Sequence, residues 1–283
     1  MFEQRVNPML WQGEEPATGV FLETGDGLAL TGVPSLLRRR RRHIEPDARM
    51  SPKLGEVLVS IKEALGDASL RPRIVALDAL DAADKELLAD ILGDGDVSVI
   101  AGHDPVYQAS ESALTGLWHI RATDDAGAEI VDIVEIADIP TIAREAAEAL
   151  TRTVPPMPEK TSANVMNALP VLAEIIERAS TWLPGQPNHV INFTLLPMTP
   201  DDMAYLLATI GQIPLSIVSG GYGTCRIVGT RVRHVFGVQY LNASGNVILD
   251  TLEIGDIPQA ALAAREDFED SASRLHEIVE QYL

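Results

Sequence analysis

Cysteine is nearly missing from this chain. One thiol, Cys225, in 283 residues excludes a disulfide within the chain. It equally excludes a cysteine-only zinc or iron–sulfur site built by one copy. A lone thiol fits the reducing cytoplasm, which is the expected location. Basic residues are also scarce, with 22 Lys and Arg against 41 Asp and Glu, a formal charge of −19 and a pI near 4.6. Nucleic acid and anionic lipid are held by basic surfaces, so no nucleic-acid partner is expected. No apolar run approaches the roughly 18 residues of a spanning helix, so no membrane insertion is expected. The N-terminus lacks a basic segment followed by an apolar stretch, so no export signal is read. His43, His103, His119, His189, His234 and His276 form no paired metal-ligand spacing;. No Gly-x-Ser-x-Gly elbow is found either. The expectation is no catalytic residue, no metal and no cofactor.

The chain does contain a repeat. Glu135-Ile136-Ala137-Asp138-Ile139-Pro140 returns as Glu253-Ile254-Gly255-Asp256-Ile257-Pro258, an offset of 118. At that offset Leu77, Asp84, Leu88, Gly93, Ser98 and Gly102 fall on Leu195, Asp202, Leu206, Gly211, Ser216 and Gly220. A match that stays in register through helical and extended patterns predicts a tandem duplication.

Each unit then reads as helix–strand–helix–strand–strand–strand–helix, an α+β fold with a mostly antiparallel sheet. Val57, Leu58, Ile61 and Leu65 give one apolar helical face, answered by Ile175, Ile176, Ala179 and Leu183. Ile74–Leu77 and Val190–Leu195 read as strands. Asp81 and Thr199 are N-cap residues, and Gly93 and Gly211 are helix stops. Val97–Ala101, Leu114–Thr123 and Glu129–Glu135 are strands of the first unit. Leu215–Val218, Ile227–Leu241 with a break, and Val247–Ile254 are those of the second. The turns Asp125-Ala126-Gly127 and Ala243-Ser244-Gly245 join the last two strands of each. Asp138-Ile139-Pro140 and Asp256-Ile257-Pro258 start closing helices. Residues 1–52 form an arm with the run Arg38–Arg42, residues 53–152 the first unit, 153–163 a proline-rich linker, and 164–283 the second unit.

Two segments stand out as candidate partner-binding sites. One is the loop Gly220, Gly221, Tyr222, Gly223, Thr224, Cys225, Arg226, where three glycines permit close backbone approach. It lacks the Lys-Ser or Lys-Thr of a phosphate loop. Arg226 beside Cys225 could activate the thiol, with His234 as base, which leaves a thiol-dependent enzyme or redox sensor as the alternative. The other is the helical segment with Glu266, Asp267, Glu269 and Asp270, either a solvated face or a seat for a basic peptide.

Several of these motifs resemble one family. Leu196-Pro197-Met198-Thr199-Pro200-Asp201-Asp202, Ser219–Ile227, Val238-Gln239-Tyr240-Leu241-Asn242, Leu252-Glu253-Ile254 and Arg265–Ser271 are similar, in order, to the HupH/HyaF hydrogenase expression/formation proteins. The resemblance covers residues 55–283 and is strongest over 190–275. It departs at Gly220, where the family pattern has Arg, and at Thr224, where it has Asn. The resemblance implies a non-enzymatic accessory role in [NiFe]-hydrogenase maturation. The implied partner is the iron–sulfur small-subunit precursor before export, with a thioredoxin-like hydrogenase accessory protein as a possible companion.

Overall fold

The computed structural model describes residues 50–66, 72–149, 151–152, 164–220 and 223–282. The Arg38–Arg42 run and the linker 153–163 lie outside them. The first half runs α1 (Pro52–Leu65), β1 (Arg73–Ala76), α2 (Ala82–Leu92), β2 (Val97–Ala101), β3 (Val106–Glu111), β4 (Leu117–Thr123), β5 (Glu129–Ile136) and α3 (Thr141–Ala149). The second runs α4 (Ala168–Thr181), β6 (His189–Asn192), α5 (Pro200–Ile210), β7 (Leu215–Ser219), β8 (Thr224–Gly229), β9 (Val235–Leu241) and β10 (Val247–Ile254). A 3-10 turn (Gln259–Ala261) and α6 (Arg265–Tyr282) follow.

All ten strands join one antiparallel sheet, ordered β1-β5-β4-β3-β2-β7-β8-β9-β10-β6. The halves meet at β2 and β7, where Val99 lies opposite Ile217, its own counterpart at the offset of 118. Ser98 faces Val218 and Ile100 faces Ser216, so the ladder reads alike from both sides. The fold is α+β, as expected.

Side-chain alternation explains the layers. Val99, Ala109, Ile120, Ile217, Ile227 and Val238 point to one face, where α3 and the 3-10 turn bury them with Ile139, Ile142 and Ile257. The opposite face carries two separate apolar clusters. Under α1, α2 and α6 lie Leu117, Val134 and Ile136. Under α4 and α5 lie Ile191, Val235, Leu252 and Ile254. Between the two clusters the central strands carry a mixed row, with Ser98, Gln108 and Ser216 beside Ile100, Val218 and Val228.

The helix starts are pinned in a shared way. Ser51 accepts from the Leu54 N–H and donates to Asp84 at 2.6 Å. In the second half Asp202, fully buried, accepts from the backbone N–H of Met166, Asn167 and Ala168. Its other oxygen completes a capping box with Thr199;. Burial pushes the Asp202 carboxyl up, but this set of N–H and hydroxyl donors outweighs it and holds the group well below the carboxylate range;.

The structure corrects the sequence reading at four places. The first half has four consecutive strands, not three: β3 occupies a stretch between the expected strands, because Ser112–Gly116 form a tight corner and the chain turns back earlier than expected, whereas in the second half the expected break in Ile227–Leu241 falls between β8 and β9. The second half closes with a 3-10 turn, and the helix that follows packs elsewhere. Leu183, expected on a buried helical face, lies beyond the end of α4 and is 62% exposed. Finally, β6 is slipped by two residues. Leu77 and Phe193, not Leu77 and Leu195, donate their N–H to Asp132 and Asp250 respectively. A two-residue slip keeps every side chain on its own face, and it leaves Leu195 80% exposed where Leu77 is 1% exposed.

Candidate functional site

The candidate loop is shorter than expected. Thr224, Cys225 and Arg226 belong to strand β8, paired with Leu241, Tyr240 and Gln239. Gly221 and Tyr222 lie outside the described residues. Gly220 donates its N–H to the Asp96 carbonyl at 2.8 Å, and Gly223 adopts φ +133, a value that favours glycine;.

Alternation sends Cys225 and Arg226 to opposite faces of the sheet. Cys225 is 4% exposed in the cluster beneath α3. Burial pushes its thiol up to about 11, and the hydrogen bond with Tyr240 only partly offsets that;. Burial likewise raises Tyr240 to about 12. The thiol is therefore protonated at neutral pH. His234 lies six residues along β9 from Tyr240, the partner of Cys225, or roughly 20 Å at strand spacing;. Its ring stacks on Trp182 instead, with centroids 4.7 Å apart. The structure does not bring His234 to the thiol.

The acidic segment begins α6. Glu266, Asp267, Glu269 and Asp270 are all exposed, and Asp267 accepts from the Ala264 N–H at 3.2 Å, fixing the first turn;. The other side of α6 does not cover its own half. Phe268, Leu275 and Val279 pack with Leu54, Leu58, Leu114 and Leu117 of the first half. Ser271 donates to the Thr115 carbonyl at 3.0 Å, and Arg274 to that of Ala113 at 3.1 Å.

This docking brings the two candidate segments to one end of the sheet, beside a residue the sequence reading passed over. Glu111, at the end of β3, is 7% exposed and accepts from the Gly116 N–H at 3.1 Å. Burial raises its carboxyl to about 7, and the charges of Asp96 and Asp267 push the same way;. Asp96 is the residue whose carbonyl receives the Gly220 N–H. Loop, helix start and a carboxyl that titrates near neutrality thus form one acidic sheet end.

A second polar group lies on the sheet face beneath α2. Asp132 is 8% exposed and pairs with Lys85 of α2 at 2.5 Å and His119 of β4 at 2.7 Å. Burial pushes its carboxyl up, but these two partners outweigh it and hold the group at about 2. Glu135, 2% exposed, caps α3 by accepting from the Thr141 N–H and hydroxyl. Its counterpart Glu253 accepts from the Asn188 amide at 3.1 Å. Both glutamates are bound into local structure.

Fold and site define an α+β protein organised on one extended antiparallel sheet, with acidic groups gathered at a sheet end. The chain belongs to the HupH hydrogenase expression protein family: the profile of its C-terminal conserved region matches twice, over residues 54–163 and 165–282. It is 39% identical over 258 residues to the hydrogenase expression/formation protein HupH of Rhizobium leguminosarum bv. viciae, covering 90% of this chain and 88% of that one. It is 40% identical over 229 residues to the hydrogenase expression/formation protein HoxQ of Cupriavidus necator, covering 79% of each. The hydrogenase-1 operon protein HyaF of Escherichia coli K12 is 31% identical over 231 residues, covering 80% of this chain and 74% of that one. Among the described residues, no helix is long and apolar enough to cross a membrane.

Proposed function

We propose that this chain is a cytoplasmic, non-enzymatic accessory factor that holds the iron–sulfur small-subunit precursor of a [NiFe]-hydrogenase before export. The observation that carries this reading is the double match to one hydrogenase expression family, spanning nearly all of residues 54–282. The acidic sheet end supplies a physical means. Exposed carboxylates on a rigid helix attract and orient a basic segment of a client through charge-assisted pairing. A thioredoxin-like accessory protein would act alongside. The buried, protonated Cys225 favours this reading over a thiol-dependent one. The two halves arose, on the same reading, by tandem duplication of one α+β unit, and their fusion gave a single sheet wide enough to present two unlike surfaces.

Co-expression with the small-subunit precursor, with and without its signal peptide, tests the proposal. Co-purification in either form is expected, and its failure in both would overturn the reading. Neutralising Glu266, Asp267, Glu269 and Asp270 together should weaken binding and flatten its salt dependence. Unchanged affinity at low salt would remove the acidic helix from the interface.

A further inference from the structure

The two halves treat an equivalent aspartate differently: Asp132 is buried, Asp250 is half-buried with one oxygen withdrawn from solvent, and the first acts as a template for what the second lacks. At the offset of 118, Asp132 corresponds to Asp250, Lys85 to Met203 and His119 to Gly237. These positions are equivalent in space as well, since α2 and α5 begin at matching capped positions, and β4–β5 and β9–β10 pair in the same register. In the first half Asp132 receives an ammonium on an aliphatic stem from above and an imidazole from beside it. In the second half both donors are gone. Asp250 keeps one contact, the Gln239 amide at 3.4 Å from Oδ2. Its Oδ1 is out of reach of water and has no hydrogen-bond partner among the described residues.

Gly237 leaves bare backbone where His119 places a ring, beside Val228, Leu252 and the α5 residues Leu207 and Ile210. No lysine, arginine or histidine among the described residues lies within 4 Å of Asp250. The nearest basic group in its ladder, Arg226, stands two strands away beyond Gln239. A carboxylate oxygen withdrawn from water without a partner leaves its desolvation uncompensated. Met203, the residue above it, is flexible enough to move aside. Burial raises the Asp250 carboxyl, the reverse of its twin.

We propose that Asp250 is a receptor for a cationic side chain, lysine or arginine, presented by the client chain and taking the place that Lys85 fills in the first half. This deepens the functional reading above and rests on it only for the identity of the client. The site differs from the acidic helix: it seats one ammonium or guanidinium group, whereas the helix attracts charge at its surface.

The test uses the full chain, 15N-labelled, titrated with Nα-acetyl-lysine amide, Nα-acetyl-arginine amide and Nα-acetyl-norleucine amide. The lysine and arginine probes separate ammonium from guanidinium, and norleucine has the stem without the charge. Saturable shifts at Met203, Gln239 and Asp250 are expected with a cationic probe and not with norleucine. Asp250→Asn, which preserves shape, should weaken binding about tenfold or more, the loss of one charge-assisted contact. Met203→Lys should fill the seat from within and block the probe to a similar degree. Equal shifts with norleucine, or binding unchanged in Asp250→Asn, would overturn the proposal. So would equal retention of the precursor by wild type and Asp250→Asn. A precursor that neither protein retains, with cation-specific shifts intact, would instead refute the functional reading and its client, leaving the cation seat in place.

Discussion

Two aspartates at matching positions of the two halves meet their surroundings in opposite ways. Asp132 is clamped by Lys85 and His119, while Asp250 at the matching place has a weak amide contact and one oxygen without a hydrogen-bond partner among the described residues. The same contrast recurs at the corners. Gly116, at φ +82, lies under the Phe268 ring, whereas its counterpart His234 adopts φ +65 and leans on Trp182. It recurs at the strand ends, where Glu111 corresponds to Gly229 and a Cβ on that glycine would meet Ile213 at 2.7 Å. Among the described residues, the buried side-chain polar atoms without a partner all lie in the second half, which also carries the most exposed large apolar side chain, Leu195.

The largest expected effect tests the two-residue slip of β6. Leu77→Ala should cost about 4 kcal/mol by opening a cavity in a sealed core. Leu195→Ala, at the residue aligned with it, should cost less than about 0.5 kcal/mol. Urea unfolding of both variants decides it, and equal losses would refute the slip. Next comes Glu111. Its folded carboxyl sits at about 7 against an ordinary 4.5, so the native state holds the proton more tightly. Stability should therefore be full below about pH 4.5 and fall as pH rises to 7, by roughly 3 kcal/mol at most. Glu111→Gln should flatten that slope, and a slope identical to wild type would clear Glu111 of the role.

Gly116→Ala should cost about 2 kcal/mol, because the new methyl meets the Phe268 ring at 2.6 Å in a backbone region that disfavours side chains;. His234→Gly, at the twin corner, should shift stability by less than about 1 kcal/mol, a contrast readable by thermal unfolding. The smallest effect makes the first half imitate the second. Lys85→Met should cost about 1 kcal/mol near neutrality. The Asp132 carboxyl is held at about 2, below its ordinary 3.8. Its contribution is therefore present above pH 3.8 and lost as pH falls through 2. The variant should raise that carboxyl, visible by carboxyl 13C shift, and no movement would contradict the clamp.

Much of this architecture was legible because the signals were local. Thr199, Asp81, Gly93 and Gly211 announce their caps, and the turns before Gly127 and Gly245 announce theirs. The α+β class followed from period alone. What escaped was set by long-range packing. Strand β3 carries no clean alternation and owes its place to neighbours on both sides. The slip of β6 is invisible because two residues fewer before the strand are balanced by two more after it. The acidic residues of α6 were visible as a cluster. Their position beside Glu111 depends on a helix crossing to the other half, which no local pattern encodes. Asp250 looked like its twin until the absence of Lys and His partners could be seen in space.

That crossing has a consequence for biosynthesis. Ser271 reaches back 156 positions to Thr115, and Lys62 meets His276 across 214. A ribosome adding about 5–20 residues each second therefore exposes Leu54, Leu58 and Leu117 for many seconds before Phe268 and Leu275 emerge to cover them. The core of the first half becomes sealed only once α6 has been translated. Until then the nascent chain offers a greasy surface that the cell's own folding helpers must shield.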